Sequence, residues 1–349
     1  GKRFLKYDTA NNVKIEKTSK EETRMKQYSP KQLLPLAQRT GRWVVKTIKG
    51  QATLYTTNLS STIRFNITGA LSFDLQTVNN GHPGFPHQVY AWRYDQQPWQ
   101  RFQVQDSPVS LQLPDRHRHL VEIMTAGNSD FDEVWTGQEG FAINGIAVNG
   151  GQLTPAAERP LVDFIGDSIT AGCWVMGKHA AVDYRPESNY VGIASDQLAI
   201  DSVRIAYSAA GVLRPGTGGV PTVKDFLGSI DNVTPWKTNQ PRVVVVNLGV
   251  NDRRFASDQF TRAYDQFLEQ VATTFPGSKV LVLTPFSQTF QSQISQLAAR
   301  HQFQLVNTTG WCQDFTDGLH PNQNGSSTAA HHLVPVLKAA LAESRRVHP

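Results

Sequence analysis

The sequence contains few cysteines and no long apolar run. Of its 349 residues, two are cysteine and three are methionine. That is too few cysteines for a fold that depends on disulfide bonds. No apolar stretch approaches the roughly 20 residues that a membrane-spanning helix needs. We therefore expect a globular protein that folds around apolar cores.

Several motifs of metal- and cofactor-dependent enzymes are also missing. The chain contains no H-E-x-x-H zinc motif, no Walker A loop and no G-x-G-x-x-G fingerprint. His117 and His119 share one face of a predicted strand, but two histidines make an incomplete metal site. The G-x-S-x-G turn is absent as well, which argues against the α/β-hydrolase fold. We predict no cofactor and no metal ion.

The charge balance is modest. Lys and Arg number 34 against 29 Asp and Glu, for a formal net charge of +5. No basic patch is interleaved with aromatic residues as in nucleic-acid-binding modules, so we expect neither a nucleic-acid nor a nucleotide partner. A positive excess attracts anionic surfaces, which leaves association with the cell envelope open.

The chain divides into three regions that differ in composition and in their pattern of apolar residues. Residues 1–40 are polar and poor in large apolar side chains, as in a leader or stalk that does not pack. Residues 41–150 contain short alternating runs with turn signals about every ten residues, which predicts an all-β sandwich. Residues 151–349 alternate strands with helical patterns, which predicts a parallel sheet covered on both faces.

The predicted elements can be placed along the sequence. One strand pattern, Val89–Tyr94, puts three aromatic residues on one face, either as a sugar-stacking platform or as core, and we favour core. The last helical pattern is interrupted at Pro335. The sandwich strands are predicted at 43–48, 52–57, 62–67, 71–78, 88–94, 100–105, 110–113, 120–125 and 141–148. The parallel strands are predicted at 161–165, 203–207, 243–248, 279–284 and 303–307.

The boundary between the two folded regions is short. Asn149-Gly150-Gly151 begins the link, and the next strand starts at Leu161. A flexible chain of that length reaches roughly 16–19 Å on average. We therefore predict that the sandwich is docked against the following domain.

The chemistry centres on the stretch Leu161 to Gly172. Its first five residues read as a buried strand, Gly166 ends the strand, and Ser168 lies on the turn that follows. Ligands of open α/β sheets bind beyond the carboxyl ends of the strands. A helix that starts near Ser168 offers free N–H groups to a developing oxyanion. The alternative is a serine that only caps a helix.

Three further motifs follow in the same chain order. Gly211 ends Ala-Tyr-Ser-Ala-Ala-Gly, Asn251 lies in Gly-Val-Asn-Asp, and His320 ends Asp-Gly-Leu-His. Together with Gly-Asp-Ser168, these resemble the four motifs of the SGNH, or GDSL-type, hydrolases. The resemblance implies a three-layer α/β/α domain with a central parallel sheet.

The residue types suggest a serine-esterase mechanism. His320 is the candidate general base for Ser168, and Asp317, in the same loop, is placed to accept the other imidazole N–H. The resemblance implies that the backbone N–H groups of Ser168 and Gly211 and the Asn251 side chain form the oxyanion hole.

Other polar residues near the motifs have alternative interpretations. We expect the neighbouring carboxylates, Asp167 and Asp252, to hold loops. His179, His301, His331 and His332 are alternative bases, but we expect none of them to share a loop with a matching carboxylate.

A sandwich followed by an SGNH domain resembles carbohydrate esterase family 2. The similarity covers about residues 41–345 and implies a jelly-roll-like sandwich and a secreted or cell-surface bacterial enzyme. It implies a serine esterase that removes small O-acyl groups, acetyl above all, from an acylated oligo- or polysaccharide or an envelope glycopolymer. Such esterases tend to lack the aspartate three residues before the histidine, whereas Asp317 is present here, so both a triad and a dyad remain open.

Two other functions also stay open, as does the question of whether the two cysteines form a disulfide bond. The same acyl-serine could serve an O-acyltransferase with a glycan acceptor, and an inactive carbohydrate-binding protein is a further alternative. Cys173 and Cys312 both lie on loops expected at the site. A disulfide between them and two free thiols are equally compatible with the sequence.

Overall fold

The computed structural model describes residues 25–347, which form three β-sheets and seven α-helices. None of these helices combines the length and hydrophobicity needed to cross a bilayer. The strands are β1 Met25–Tyr28, β2 Val44–Ile48, β3 Gln51–Thr56, β4 Thr62–Thr68, β5 Ser72–Thr77, β6 Val89–Tyr94, β7 Gln100–Gln103, β8 Val109–Gln112, β9 His119–Gly127, β10 Phe141–Asn149, β11 Gln152–Pro155, β12 Leu161–Gly166, β13 Asp201–Ala206, β14 Val243–Asn247, β15 Lys279–Leu283 and β16 Gln304–Val306. The helices are α1 Pro30–Ala37, α2 Ser168–Ala171, α3 Tyr190–Leu198, α4 Val223–Phe226, α5 Ser257–Thr274, α6 Gln291–Arg300 and α7 Gln323–Val347.

Two antiparallel sheets form the predicted sandwich. One has the order β2-β3-β10-β5-β8, with β1 also on β10, and the other has the order β11-β4-β9-β6-β7. Phe73 and Ile143 from the first sheet pack with Phe65 and Trp92 from the second in one buried cluster. In β5 buried and half-buried residues alternate along the strand, as a sheet with one face in the core requires. The predicted sandwich strands therefore exist close to their predicted positions.

The aromatic residues of β6 are mainly core. Tyr90 and Trp92 are buried, and the Tyr90 ring lies edge-on to Phe141 of the opposite sheet. The prediction of a core stripe rather than a sugar platform is confirmed for these two residues.

The expectation of an unpacked leader over residues 1–40 is wrong for residues 25–40, while residues 1–24 lie outside the described part. Strand β1 pairs antiparallel with β10. Helix α1 starts with a capping box between Ser29 and Gln32, and it buries Leu33 and Ala37 in the sandwich core. The sequence did not predict this short amphipathic helix, because its few apolar residues lie in a polar stretch.

The link between the two regions also differs from the prediction. Residues Gln152–Pro155 form β11, which pairs with β4 at the edge of the second sheet. The sandwich therefore extends past residue 150, and only residues 156–160 join it to β12. The strand was missed because an edge strand with one large apolar residue, Leu153, carries no alternation.

The third sheet is parallel, with the order β13-β12-β14-β15-β16. Helices α5 and α6 pack on one face, and α3 and α7 pack on the other. The predicted α/β/α layers are confirmed. Helix α7, however, continues through Pro335 without interruption. Its residues Leu333 and Leu337, on either side of the proline, are both buried against the sheet.

The sandwich is docked against the parallel-sheet domain through buried polar contacts. Arg42 is fully buried. It donates to the Phe226 carbonyl at 2.6 Å and to the Tyr207 hydroxyl at 2.8 Å across the interface. Asn58 donates to the Ala206 carbonyl at 3.2 Å. Because Ala206 ends β13, the sandwich supports the segment that leads to Gly211.

Candidate active site

The turn after β12 places Ser168 at the start of a short helix. Asp167 caps α2 by accepting the Ile169 N–H at 2.9 Å. A Cβ at position 166 would lie 2.3 Å from the Thr170 hydroxyl, so only glycine allows α2 to fold back this closely. Ser168 is therefore held at the carboxyl end of β12, an inner strand of the parallel sheet, and is 4% exposed.

Ser168, His320 and Asp317 form one chain of hydrogen bonds. The Ser168 Oγ lies 2.8 Å from His320 Nε2, and His320 Nδ1 lies 2.7 Å from Asp317 Oδ2. The three residues come from two loops 152 positions apart along the chain. This is the geometry of a nucleophile, a base and an orienting carboxylate. Their catalytic roles stay predictions.

Asp317 is held by its own loop. Its Oδ1 accepts the backbone N–H of His320 at 2.8 Å and that of Leu319 at 3.1 Å. Partial burial raises the pKa of Asp317, but hydrogen bonds from the His320 backbone and imidazole outweigh it, and the pKa lies below its ordinary value. The carboxylate is thus ionised at neutral pH.

The predicted oxyanion donors are only partly available. The Ser168 N–H belongs to the first turn of α2, where helix N–H groups have no acceptor within the helix. Asn251 donates one side-chain N–H to the Ala210 carbonyl at 3.0 Å, which leaves the second for another acceptor. Gly211 departs from the expectation, because its N–H donates to the Arg214 carbonyl at 2.9 Å. In this conformation that N–H is not free for a substrate oxygen.

Asp252 explains the turn at Gly211. Its carboxylate accepts the N–H groups of three consecutive residues, Val212 to Arg214, at 2.9–3.0 Å. A Cβ on Gly211 would lie 2.4 Å from this carboxylate, so the glycine makes room for Asp252. Burial raises the pKa of Asp252. As predicted, Asp252 holds a loop, and Asp167 does the same at α2.

No sequence motif marks the residues that donate hydrogen bonds to the carbonyl groups of α2. Asn189 donates to the carbonyls of Ile169 and Thr170, both at 3.0 Å. Buried Arg204 donates to the carbonyls of Thr170 and Ala171, both at 3.2 Å, and burial lowers its pKa to about 9. The carbonyl groups that so short a helix leaves unpaired are thereby satisfied.

One aromatic side chain, Trp174, lies beside the imidazole and packs against a second, Tyr184. The half-buried Trp174 ring has its centroid 6.4 Å from that of His320 and 4.9 Å from that of Tyr184, both in edge-on arrangements. Trp174 adopts a left-handed backbone conformation, with φ +62°, which is uncommon for a bulky residue. Thr316 donates its hydroxyl to the Trp174 carbonyl. The loop that carries His320 thus also fixes this tryptophan.

The two cysteines are free and buried. Cys173 packs in the sandwich core cluster and Cys312 packs against α7, so each belongs to a different core. Burial raises the pKa of both thiols, that of Cys312 to about 11. Of the two alternatives left by the sequence, the structure has two thiols.

Two of the alternative bases do have carboxylate partners, contrary to expectation. His179 lies 2.8 Å from Asp183 and His301 lies 2.7 Å from Asp265. Within residues 25–347, neither pair has a serine hydroxyl among its hydrogen-bond partners. Of these three histidine–carboxylate pairs, the one at Ser168 is therefore the one with a candidate nucleophile.

The family comparison supports what this geometry suggests. Residues 164–327 match the family model described as "GDSL-like Lipase/Acylhydrolase family". The chain contains a GDSL-like acylhydrolase domain. The match supports a carboxylic-ester hydrolase. No curated protein matches the sequence significantly.

Solved structures share the arrangement of sandwich and acylhydrolase domain. A family two carbohydrate esterase from Cellvibrio japonicus has a TM-score of 0.71 at 15% identity, covering 91% of this chain and 98% of its own. One from Clostridium thermocellum, in complex with cellohexaose, has a TM-score of 0.69 at 18% identity, covering 87% and 98%. A salicylyl-acyltransferase from a tetracycline biosynthetic pathway has a TM-score of 0.62 at 11% identity, covering 90% and 97%. At these identities the likeness concerns the fold.

Proposed function

We propose that this protein is a serine esterase that removes small O-acyl groups, principally acetyl, from a carbohydrate outside the cell or at its surface. The single observation that carries the proposal is the continuous hydrogen-bond chain from Ser168 through His320 to Asp317. Support for a carbohydrate substrate comes from the fold, which is shared with family two carbohydrate esterases. An inactive binding protein would not need this chain.

Acylation begins with the proton on Ser168. His320 Nε2 accepts it while Oγ attacks the ester carbonyl carbon, and the carbonyl oxygen takes the negative charge. The Ser168 N–H and the second N–H of Asn251 are the donors available to that oxygen. Asp317 stabilises the imidazolium through Nδ1. The intermediate collapses by breaking the bond to the sugar oxygen, which leaves with the proton from His320.

Deacylation repeats the sequence with water. His320 takes a proton from a water molecule as the water oxygen attacks the acyl carbon. The bond to Ser168 Oγ then breaks, and the serine recovers its proton from Nε2. The products are acetate and a free sugar hydroxyl, with no net change at the enzyme.

The test is acyl release from aryl acetate and from acetylated oligosaccharides. Ser168→Ala and His320→Ala should each lower kcat by on the order of 10⁶, and a rapid quench should trap one acetyl group on Ser168 in the wild-type protein. Folded wild-type protein that releases no acyl group from either substrate type contradicts the proposal. A Ser168→Ala variant with the wild-type rate contradicts the nucleophile assignment.

An O-acyltransferase is the second candidate, because a salicylyl-acyltransferase has the same fold. Hydrolase and transferase share the acyl-serine and differ in what removes the acyl group. Adding a free glycan to an aryl acetate assay distinguishes them. For an esterase we expect acetate to remain the main product, whereas acylated glycan as the main product identifies a transferase.

A further inference from the structure

Two phenylalanine rings are stacked on the surface of the sandwich. Phe85 and Phe131 have ring centroids 4.3 Å apart and an interplanar angle of 20°. Phe131 is 61% exposed and Phe85 is 37% exposed. Phe85 lies between β5 and β6, and Phe131 lies between β9 and β10. An exposed aromatic pair built from two separate segments indicates a binding surface rather than a stray apolar residue.

A buried carboxylate fixes the two segments to each other. Asp132 accepts the backbone N–H of His82 at 2.7 Å and that of Ser129 at 2.9 Å. His82 packs its ring 5.3 Å from Phe85 and lies 3.1 Å from a carboxylate oxygen of Glu139. The pair is thus held in place before any ligand arrives, which lowers the ordering cost of binding.

The stacked pair is connected to the candidate active site by direct contacts. Asp130, next to Phe131, accepts from the Tyr184 hydroxyl at 3.4 Å. Tyr184 lies against Trp174, which in turn lies against His320. The same segment of the sandwich and Ala171 of α2 line one small cavity. These contacts join the segment that carries Phe131 to the loop that carries His320.

Polar groups flank the aromatic surface on one side. A groove of about 450 Å³ runs beside Phe85 and includes Lys49, Asn79, His82 and His87 in its lining. An aromatic face next to convergent hydrogen-bonding groups suits a pyranose ring, which has apolar C–H faces and a polar rim.

Charge narrows the ligand class. The segment that carries Phe131 also carries three acidic side chains besides buried Asp132, namely Asp130, Glu133 and Glu139. The groove beside Phe85 contributes one lysine, Lys49, against these three carboxylates, and an excess of negative charge at a binding surface disfavours a polyanionic partner. Neutral sugar chains meet no such repulsion.

We propose that Phe85 and Phe131 form a second, noncatalytic subsite that binds a neutral glycan chain beyond the sugar that carries the acyl group. This inference rests on the proposed function, because the substrate must be a glycan. It predicts a preference for oligosaccharides over monosaccharides that depends on the pair and not on the hydrogen-bond chain at Ser168.

Binding is measured with the full chain carrying Ser168→Ala, so that turnover does not intervene. Calorimetry with neutral xylo-, gluco- and manno-hexasaccharides is compared between this protein and one that also carries Phe85→Ala and Phe131→Ala. We expect the double substitution to weaken binding about tenfold for the preferred hexasaccharide. Leu71→Ala is the matched control, because Leu71 is 45% exposed and lies at the other end of β5; we expect no change.

Kinetics with Ser168 intact separate this inference from the proposed function. The double substitution should raise KM for an acetylated hexasaccharide about tenfold, with kcat and all rates on an acetylated monosaccharide unchanged. Unchanged hexasaccharide binding and KM overturn the subsite, and so does a preference for oligouronic acids over neutral chains. Hydrolysis of aryl acetate without hydrolysis of any acetylated sugar overturns the proposed function instead. If sedimentation detects self-association and the double substitution abolishes it, the pair is a dimer contact and the subsite is overturned.

Discussion

The two oxygens of Asp317 have different partners. Oδ1 accepts main-chain N–H groups and fixes the loop, whereas Oδ2 faces the imidazole. A substitution that keeps the shape but removes the charge therefore separates structure from electrostatics. The carboxylate is the part that selects the imidazole tautomer and stabilises the imidazolium.

We predict that Asp317→Asn lowers kcat roughly 10⁴-fold while the protein stays folded. The reason is that a side-chain amide can present an N–H to Nδ1 and so favour the wrong tautomer. Steady-state kinetics with aryl acetate measure the loss. Asp265→Asn is the control, because Asp265 also pairs with a histidine but lies on α5. A loss below tenfold at Asp317 would show that the site works as a dyad.

The buried carboxyl group of Asp163, on β12, makes the stability of the folded protein depend on pH. Asp163 is fully buried, its Oδ2 accepts a hydrogen bond from Thr238 at 3.4 Å, and its Oδ1 has no partner. Burial raises the pKa of Asp163 to about 7 from an ordinary value of 3.8, although nearby Arg42 opposes the shift. Between these two pH values the folded protein holds a proton that the unfolded chain has lost. The contribution of Asp163 to stability is therefore present below about pH 4 and is lost as the pH rises toward 7.

We predict that Asp163→Asn reduces this loss. Asparagine cannot ionise, so position 163 no longer contributes to the fall in stability between pH 4 and pH 7. The free energy of unfolding of the variant minus that of the wild type should be more favourable at pH 8 than at pH 5, by on the order of 2 kcal/mol. Urea unfolding at both pH values measures the difference. An identical pH dependence in the two proteins contradicts the raised pKa.

At the scale of single elements, α2 depends on side chains from elsewhere. It has only four residues, and isolated helices of that length are unstable. Asn189 donates to two of its carbonyls and also caps α3 by accepting the Gly192 N–H. One asparagine therefore couples two helices to the position of Ser168.

We predict that Asn189→Ser preserves α3 and disturbs α2. Serine is a good helix cap, but it cannot replace the two amide donations. Leaving the buried Ile169 carbonyl unpaired should lower the free energy of unfolding by about 1–3 kcal/mol. A displaced Ser168 should lower kcat roughly 10–100-fold with little change in KM. Asn66→Ser, which removes an exposed donation to Pro155, should change neither. A stability loss with unchanged kcat would make Asn189 merely structural.

The elements that could be predicted from the sequence are those with a pattern of their own. Alternation in β5 and the apolar run of β12 were sufficient, as was the one-sided apolar face of α5. Strands β1 and β11 were missed because they are short and polar and exist through pairing with distant strands.

The same distinction applies within the candidate site. The proximity of Ser168, Asp317 and His320 could be predicted from motif order alone. The hydrogen bond from the Gly211 N–H to the Arg214 carbonyl could not be predicted. Asp252 sets that turn, and it lies 40 positions away along the chain. Arg204 and Asn189 belong to no motif, and only the folded chain shows which carbonyls they satisfy.

For the whole molecule, buried polar contacts link the sandwich to the acylhydrolase domain. Buried Asp231 pairs with Lys46 at 2.8 Å, and the Tyr207 hydroxyl meets Arg42 and Thr57 of the sandwich. Without the sandwich these polar groups and the apolar surface around them face solvent.

We predict that residues 156–349, expressed alone, aggregate or lose activity. In the full chain, Arg42→Met keeps the volume but removes every hydrogen bond of the guanidinium. It should lower the free energy of unfolding by on the order of 3 kcal/mol. Solubility, cooperative unfolding and aryl acetate turnover are the measurements. A soluble, cooperative and fully active fragment would show that the two domains are independent.

Every strand of the sandwich precedes every strand of the parallel sheet along the chain, since β11 ends at Pro155 and β12 begins at Leu161. During synthesis the sandwich can therefore complete its pairing before the first strand of the parallel sheet has emerged. Arg42, Asn58 and Lys46 are then already in place when the segments they bind arrive. We expect the nascent sandwich to act as an intramolecular chaperone for the catalytic half.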